Sequence, residues 1–299
     1  MILRYLPWLA GLIVALLLVV NFRVWWPAFC HALPAVARVA GITVAEARRR
    51  RVLHAVLLLV VLILVSTTFF TYMQPGEEAI MLISTGLAAV LFFGMLLAIF
   101  VGAYLIPREV ESRTIYALLS KPVKRFEFVL GKYLGVLAIL GFIVAVMGGT
   151  LLFILWLKAV TAGEMGSRQS AMLASSLGNI AFSVLMYYFG LAVFASLIIM
   201  VSTVASTTMT IISSVLIWGA GMLQGQIYEM AKHLVGPSQY FLKALYFVLP
   251  HFENFDFRRQ IGQGVSIDYS LALEAVAHGA AYVAVVLVLA VIFFHDRQV

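Results

Sequence analysis

The sequence predicts an all-α membrane protein that crosses the bilayer several times, and three observations carry that prediction. The chain of 299 residues is 64% hydrophobic, only 11% charged, and has a mean hydropathy of +1.06. A soluble domain is about 45–50% apolar and about 25% charged, so most of this chain lacks the polar faces a soluble fold requires. The apolar residues fall in runs long enough for the roughly 20-residue helices that span a hydrocarbon core. The charges, finally, cluster between those runs rather than within them.

The runs predict seven spans, at Leu6–Trp26, Val52–Tyr72, Ile80–Ile106, Phe128–Leu157, Asn179–Ser202, Met209–Ile227 and Leu271–Phe294. The fifth and sixth have the least marked boundary: "MVSTVASTTMTIISSV" carries no charge to mark a turn, yet the apolar stretch that contains it is too long for one crossing. The first span has an apolar run longer than a signal-peptide core and no small-x-small cleavage pattern, so it is read as a retained anchor with its N-terminus outside. Trp25 and Trp26 suit an aromatic belt at its end. The net charge of +7 and pI near 9.6 fit basic cytoplasmic loops better than nucleic-acid binding. With Pro107–Phe128 inside, the cytoplasmic side holds Arg23, Arg38, Arg48–Arg51, Arg108, Arg113, Lys121, Lys124, Arg125, Lys132 and Arg297. The outer side balances Arg4, Lys158, Arg168, Lys232, Lys243, Arg258 and Arg259 against Glu77, Glu78, Glu164, Glu229, Glu253, Asp256 and Asp268.

Before the second span, "ITVAEARRRR" places Thr43 and Glu46 in a Thr-x-x-Glu capping pattern, which predicts a helix start at about 43. Arg48, Arg49, Arg50 and Arg51 follow. They either anchor the next span to lipid headgroups or belong to an interfacial helix that lies flat before turning inward.

The densest charge cluster is "PREVESRTIYALLSKPVKRFEFVLGKYLG", Pro107 to Gly135. Pro107 suits the first helical turn, where a missing N–H is harmless. Glu109 and Glu111 face the positive end of the helix dipole, and Lys121 its negative end. Val110, Thr114, Ala117 and Leu118 form a stripe, so Pro107–Lys121 reads as a short amphipathic helix that Pro122 ends. Inside the span that follows, Gly131 and Gly135 form a small-xxx-small pair that permits close helix approach. A solvated loop alone would not require this order of parts; an amphipathic helix of this kind is suited to a groove on a partner.

That stretch resembles the signature of type-2 ATP-binding-cassette (ABC) transporter permeases, matching at Glu109, Glu111, Arg113, Thr114, Leu118, Leu119, Ser120, Pro122, Val123, Arg125, Phe128, Gly131 and Lys132. "ITVAEARRRR" resembles the family's elbow helix, "LPHFENFDF" a segment between its last two spans, and "FFHDRQV" its basic ends. The resemblance implies a six-helix exporter core over residues 42–299, with an elbow helix at 43–52, a coupling helix at 107–121 and an outer interfacial region at 226–270. Residues 1–41 then form an additional membrane anchor and linker. It further implies two copies of the chain in the inner (plasma) membrane, each docking an ABC ATPase supplied in trans. Glu109, Glu111, Arg113, Thr114, Leu118, Leu119, Pro122, Val123 and Arg125 would make that interface. Maturation permeases serving nitrous oxide reductase belong to the same family. They supply the alternative of a transmitter that relays ATPase motion to an extracytoplasmic partner without a cargo path. A membrane anchor or assembly factor with no ATPase is the third reading.

No covalent chemistry is expected. Gly131-Lys132 lacks the upstream Gly and following Ser/Thr of a phosphate loop. One cysteine, Cys30, allows no disulfide framework. The six histidines, His31, His54, His233, His251, His278 and His295, are scattered, and no cofactor is expected. The spans hold essentially no mid-membrane ionisable residues, which argues against ion-coupled transport. The hydroxyls of "MVSTVASTTMTIISS" are expected to bond back to helix carbonyls rather than line a path. "PHFENFDFRRQI" reads as an interfacial amphipathic helix that places Phe252, Phe255 and Phe257 at the outer surface. It would serve as gate, partner dock or lipid-surface plug, the last being favoured by pattern. Metal cargo on the outer face stays open.

Overall fold

The computed structural model describes residues 35–49, 51–70, 78–105, 125–162, 167–233, 236, 238–240, 242, 249–262 and 267–296. No strand occurs among them. Nine α-helices are defined there: α1 (Ala35–Arg49), α2 (Arg51–Phe70), α3 (Glu78–Leu105), α4 (Arg125–Ala162), α5 (Ser167–Val204), α6 (Thr207–Met222), α7 (Gln224–His233), α8 (Arg258–Gly262) and α9 (Tyr269–Asp296). A 3₁₀ turn at Phe252–Phe255 precedes α8. The first predicted span lies outside the described residues.

The long helices are apolar around their whole circumference, as a helix buried in lipid and neighbours must be. Four of them have the length and hydropathy to cross a bilayer, with spans at Ile80–Tyr104, Phe126–Val160, Ser176–Val204 and Tyr269–Phe294. A fifth appears if α6 and α7 count as one bent span. At 38 residues each, α4 and α5 are about 57 Å long, well beyond a hydrocarbon core of about 30 Å, so they stand out of the membrane as rods.

The core lies between α3, α4 and α5, with α1 on α4 and α9 on α5. Small residues set the approach. A Cβ at Gly94 would lie 3.0 Å from Leu191, and one at Gly102 2.6 Å from Ile198, both across the α3–α5 contact. Lipid tails supply no hydrophobic drive between helices, so such close van der Waals contact is what holds them together.

The charge-free stretch between the fifth and sixth spans breaks at Ala205–Ser206, where Ser206 adopts extended backbone (φ −72°, ψ 164°). The hydroxyls around it bond back to their own turns. Ser202 donates to Ile199 O at 2.7 Å, Thr210 to Ser206 O at 2.9 Å and Ser214 to Thr210 O at 2.6 Å. Where the sequence predicts one span over Met209–Ile227, the structure ends α6 at Met222 and bends by 63° into α7. Gly219, Gly221 and Gly225 weaken the helix there, and Gln224 is buried and donates to Leu249 O at 3.4 Å. That bond ties the bend to the chain that follows.

Candidate functional site

Two places in the bundle carry more than packing: a joint where α1 crosses the start of α4, and a strap seated on α5, α6 and α9.

The joint is built by α1. Thr43 is expected to cap a helix that starts at 43, but the helix starts at Ala35 and Thr43 lies well inside it, fully buried. Its hydroxyl donates to Val39 O at 3.0 Å, so it caps nothing. The physical reason is tertiary. Val39, Ala40, Thr43, Val44 and Ala47 form one buried face against α4, and burying that face extends the helix through a Thr that local chemistry alone would place at its end. Arg48 and Arg49 fall in the last turn, where cations suit the negative helix dipole. Glu46 lies between the buried and exposed sides of the same helix.

Gly131 and Gly135 receive α1. A Cβ at Gly131 would sit 2.6 Å from Val39 Cβ and 2.7 Å from Val36 O; one at Gly135 would sit 2.6 Å from Thr43 Cβ and 3.0 Å from Ala40 O. The two helices therefore meet backbone to backbone. One residue on, Lys132 is buried at 1% exposure, its Nζ 5.6 Å from the Phe128 ring centre. Phe128 in turn stacks on Phe294 of α9 at 5.5 Å. Two helices, α1 and α9, thus converge on the first turns of α4.

The predicted coupling helix Pro107–Lys121, with Glu109, Glu111, Arg113, Thr114, Leu118 and Leu119, lies outside the described residues, as do Pro122, Val123 and Arg50. Arg125 and Arg51 open α4 and α2, respectively.

The strap runs from Leu249 to Gly262. It is predicted as an amphipathic helix at the lipid surface, and the structure corrects this. Phe252, Phe255 and Phe257 are 4–5% exposed, buried within the bundle. Four residues of 3₁₀ turn and the short α8 replace the continuous helix. Phe252 packs edge-on to Phe194 at 5.6 Å and closes on Gly221, where a Cβ would meet its ring at 2.5 Å. Phe255 sits against Gly190 and Gly279, and Phe257 meets Phe182 at 5.8 Å. Glycines on α5, α6 and α9 provide space for the aromatic rings, a tertiary pattern with no local signature.

A polar knot holds the strap's centre. Tyr187 of α5 donates its hydroxyl to Asp256 Oδ1 at 3.1 Å, and Arg258 Nε donates to Oδ1 and Oδ2 at 2.8 and 2.9 Å. Burial pushes the Asp256 carboxyl up, but the hydrogen bonds and charge of Arg258 together with the Tyr187 bond outweigh it and hold it below its ordinary value. The same bonds raise Arg258. The Asp-x-Arg spacing is visible in the sequence; Tyr187, 69 positions away, is not.

His251 of the strap faces His278 of α9, ring centres 5.8 Å apart and planes at 81°. Burial, then His278, lower the His251 pKa below the usual imidazole range against the opposing pull of Glu253. His54 and His233 are exposed on other elements. Among the described residues no group of three or more His, Cys, Asp or Glu could hold a metal ion.

An all-α bundle of apolar rods, with a helix fastened across the start of one rod and a strap wedged among others, defines a multi-pass membrane protein. Residues 37–299 match the model of the ABC-2 family transporter proteins, and the chain belongs to that family. A search of curated proteins finds no match to it.

Proposed function

We propose that this chain is the permease subunit of an ABC exporter, acting in the inner (plasma) membrane as a homodimer driven by a separate ATPase. The supporting observation is the joint. α1 is clamped backbone to backbone onto Gly131 and Gly135, at the start of the rod that follows directly on residues 106–124. If those residues hold the coupling helix, a push on it from an ATPase reaches α4 with little slack. Close-packed interfaces transmit displacement rather than absorb it. The chain itself carries no ATP site and performs no covalent step.

The relay reading, in which motion passes to an extracytoplasmic partner without cargo, draws support from the strap. Seated on α5, α6 and α9, it would shift whenever those rods shift.

The test is affinity purification of the tagged chain in mild detergent, with co-purifying proteins identified and ATP hydrolysis assayed. A Glu109→Lys/Glu111→Lys variant is carried alongside. A stoichiometric ATPase that is lost in the variant supports the coupled permease, and cargo flux in vesicles then separates export from relay. A stable complex without ATPase overturns both and leaves an anchor or assembly factor.

A further inference from the structure

The two imidazoles at the strap come from elements distant in sequence, and they line one small cavity. His251, Asn254 and Phe255 of the strap face Ala275, His278, Gly279 and Tyr282 of α9 across a space of about 10 Å³, enough for one water-sized species. Two imidazole nitrogens bound at about 2.0–2.1 Å to one ion place their ring centres on the order of 5–6 Å apart. The observed 5.8 Å falls in that range with both backbones where they are. We propose that His251 and His278 form a two-histidine site for a borderline divalent cation of the zinc class, which clamps the strap to α9.

The chemistry of the donors sets the class. Imidazole nitrogen suits zinc, nickel and copper, whereas calcium and magnesium demand an oxygen cage that this cavity does not offer. No third histidine, cysteine or carboxylate completes the set among the described residues. The remaining positions therefore fall to water and to the amide oxygen of Asn254, and the ion is exchangeable rather than structural. The clamp would act where it matters for motion. Phe255, four residues beyond His251, already rests against Gly279, one residue beyond His278. An ion here ties a second point of the strap to the same turn of α9. The inference rests on this geometry alone and stands whether the subunit exports or relays.

The test uses the full chain, purified in detergent through a tag free of histidine, and titrated calorimetrically with Zn²⁺. One Zn²⁺ per chain is expected, with affinity at least about tenfold weaker in His251→Asn and in His278→Asn. The exposed His233→Asn variant is expected to match the wild type, and Mg²⁺ to give no signal. Absence of Zn²⁺ binding by the wild type, or binding unchanged in both site variants, overturns the proposal. Should those variants fail to fold, carbethoxylation of the wild type mapped by mass spectrometry decides. Zn²⁺ should shield His251 and His278 while His233 stays reactive, and equal reactivity with and without Zn²⁺ overturns the site.

Discussion

Gly131 and Gly135 matter because their missing side chains let α1 and α4 touch through backbone, with Val36 O and Ala40 O within about van der Waals distance of where a Cβ would stand. Carbonyl oxygens cannot rotate away as a side-chain end can, so any larger residue must push the helices apart. Gly131→Val is expected to destabilise the protein by about 1–3 kcal/mol through overpacking, read as a lower melting temperature in detergent. Gly149 offers the control: nothing lies within 4 Å of its added Cβ, so Gly149→Ala should leave the melting temperature close to that of the wild type. Asp256 is the second residue that carries weight. Removing it in Asp256→Ala leaves a half-buried Arg258 guanidinium and the Tyr187 hydroxyl without their acceptor, at a cost of about 1–2 kcal/mol. Its folded pKa is depressed, so the stabilisation is fully present above the ordinary value of 3.8 and is lost as pH falls through that value and below it. Melting curves of wild type and Asp256→Ala should differ at neutral pH, keep that difference down to about pH 5, and converge in stronger acid.

At the scale of elements, the strap behaves as a wedge rather than a surface helix. Its rings fill notches that three glycines leave on the long helices, and a ring inserted between rods is both a spacer and a lock. Phe255→Ala is expected to cost about 3–5 kcal/mol and to raise the labelling rate of a cysteine placed at Asn254, in a Cys30→Ser background. Retained stability with an unchanged labelling rate would mean that the wedge does not hold the strap. The bend between α6 and α7 belongs to the same device. α6 at 16 residues reaches only about 24 Å, short of a full crossing, and its last turns are shaped to accept Phe252 at Gly221.

For the whole molecule, the rods α4 and α5 connect the joint, built on α4, with the strap, seated on α5. Tyr133 of α4 donates to Ala192 O of α5 at 3.2 Å and Tyr188 of α5 to Leu137 O of α4 at 3.3 Å, so the pair is stitched by two bonds about one turn apart, next to the joint. Displacement of one rod at the joint is thereby carried toward the strap. The distribution of Lys and Arg predicts residues 107–121 on the inner side of the membrane and the strap region on the outer side. Single cysteines at Ser120 and at Asn254, again without Cys30, should react with an impermeant maleimide from the inner and the outer face, respectively. Labelling of both from one side would break the topology.

The sequence by itself determined the membrane class, the helical architecture, the positions of most spans and the family. Those follow from hydropathy summed over some twenty residues and from a signature of adjacent residues, both of which are local properties. It also exposed Gly131 and Gly135 as a pair, though not what would lie on them. Only the tertiary structure decided that Thr43 sits inside a helix, that Phe252, Phe255 and Phe257 point into the bundle, and that Tyr187 meets Asp256. Lipid and protein interior are equally apolar, so a Phe-rich stretch reads the same whether it faces one or the other. The choice is made by notches on other helices, and those exist only once the chain has folded.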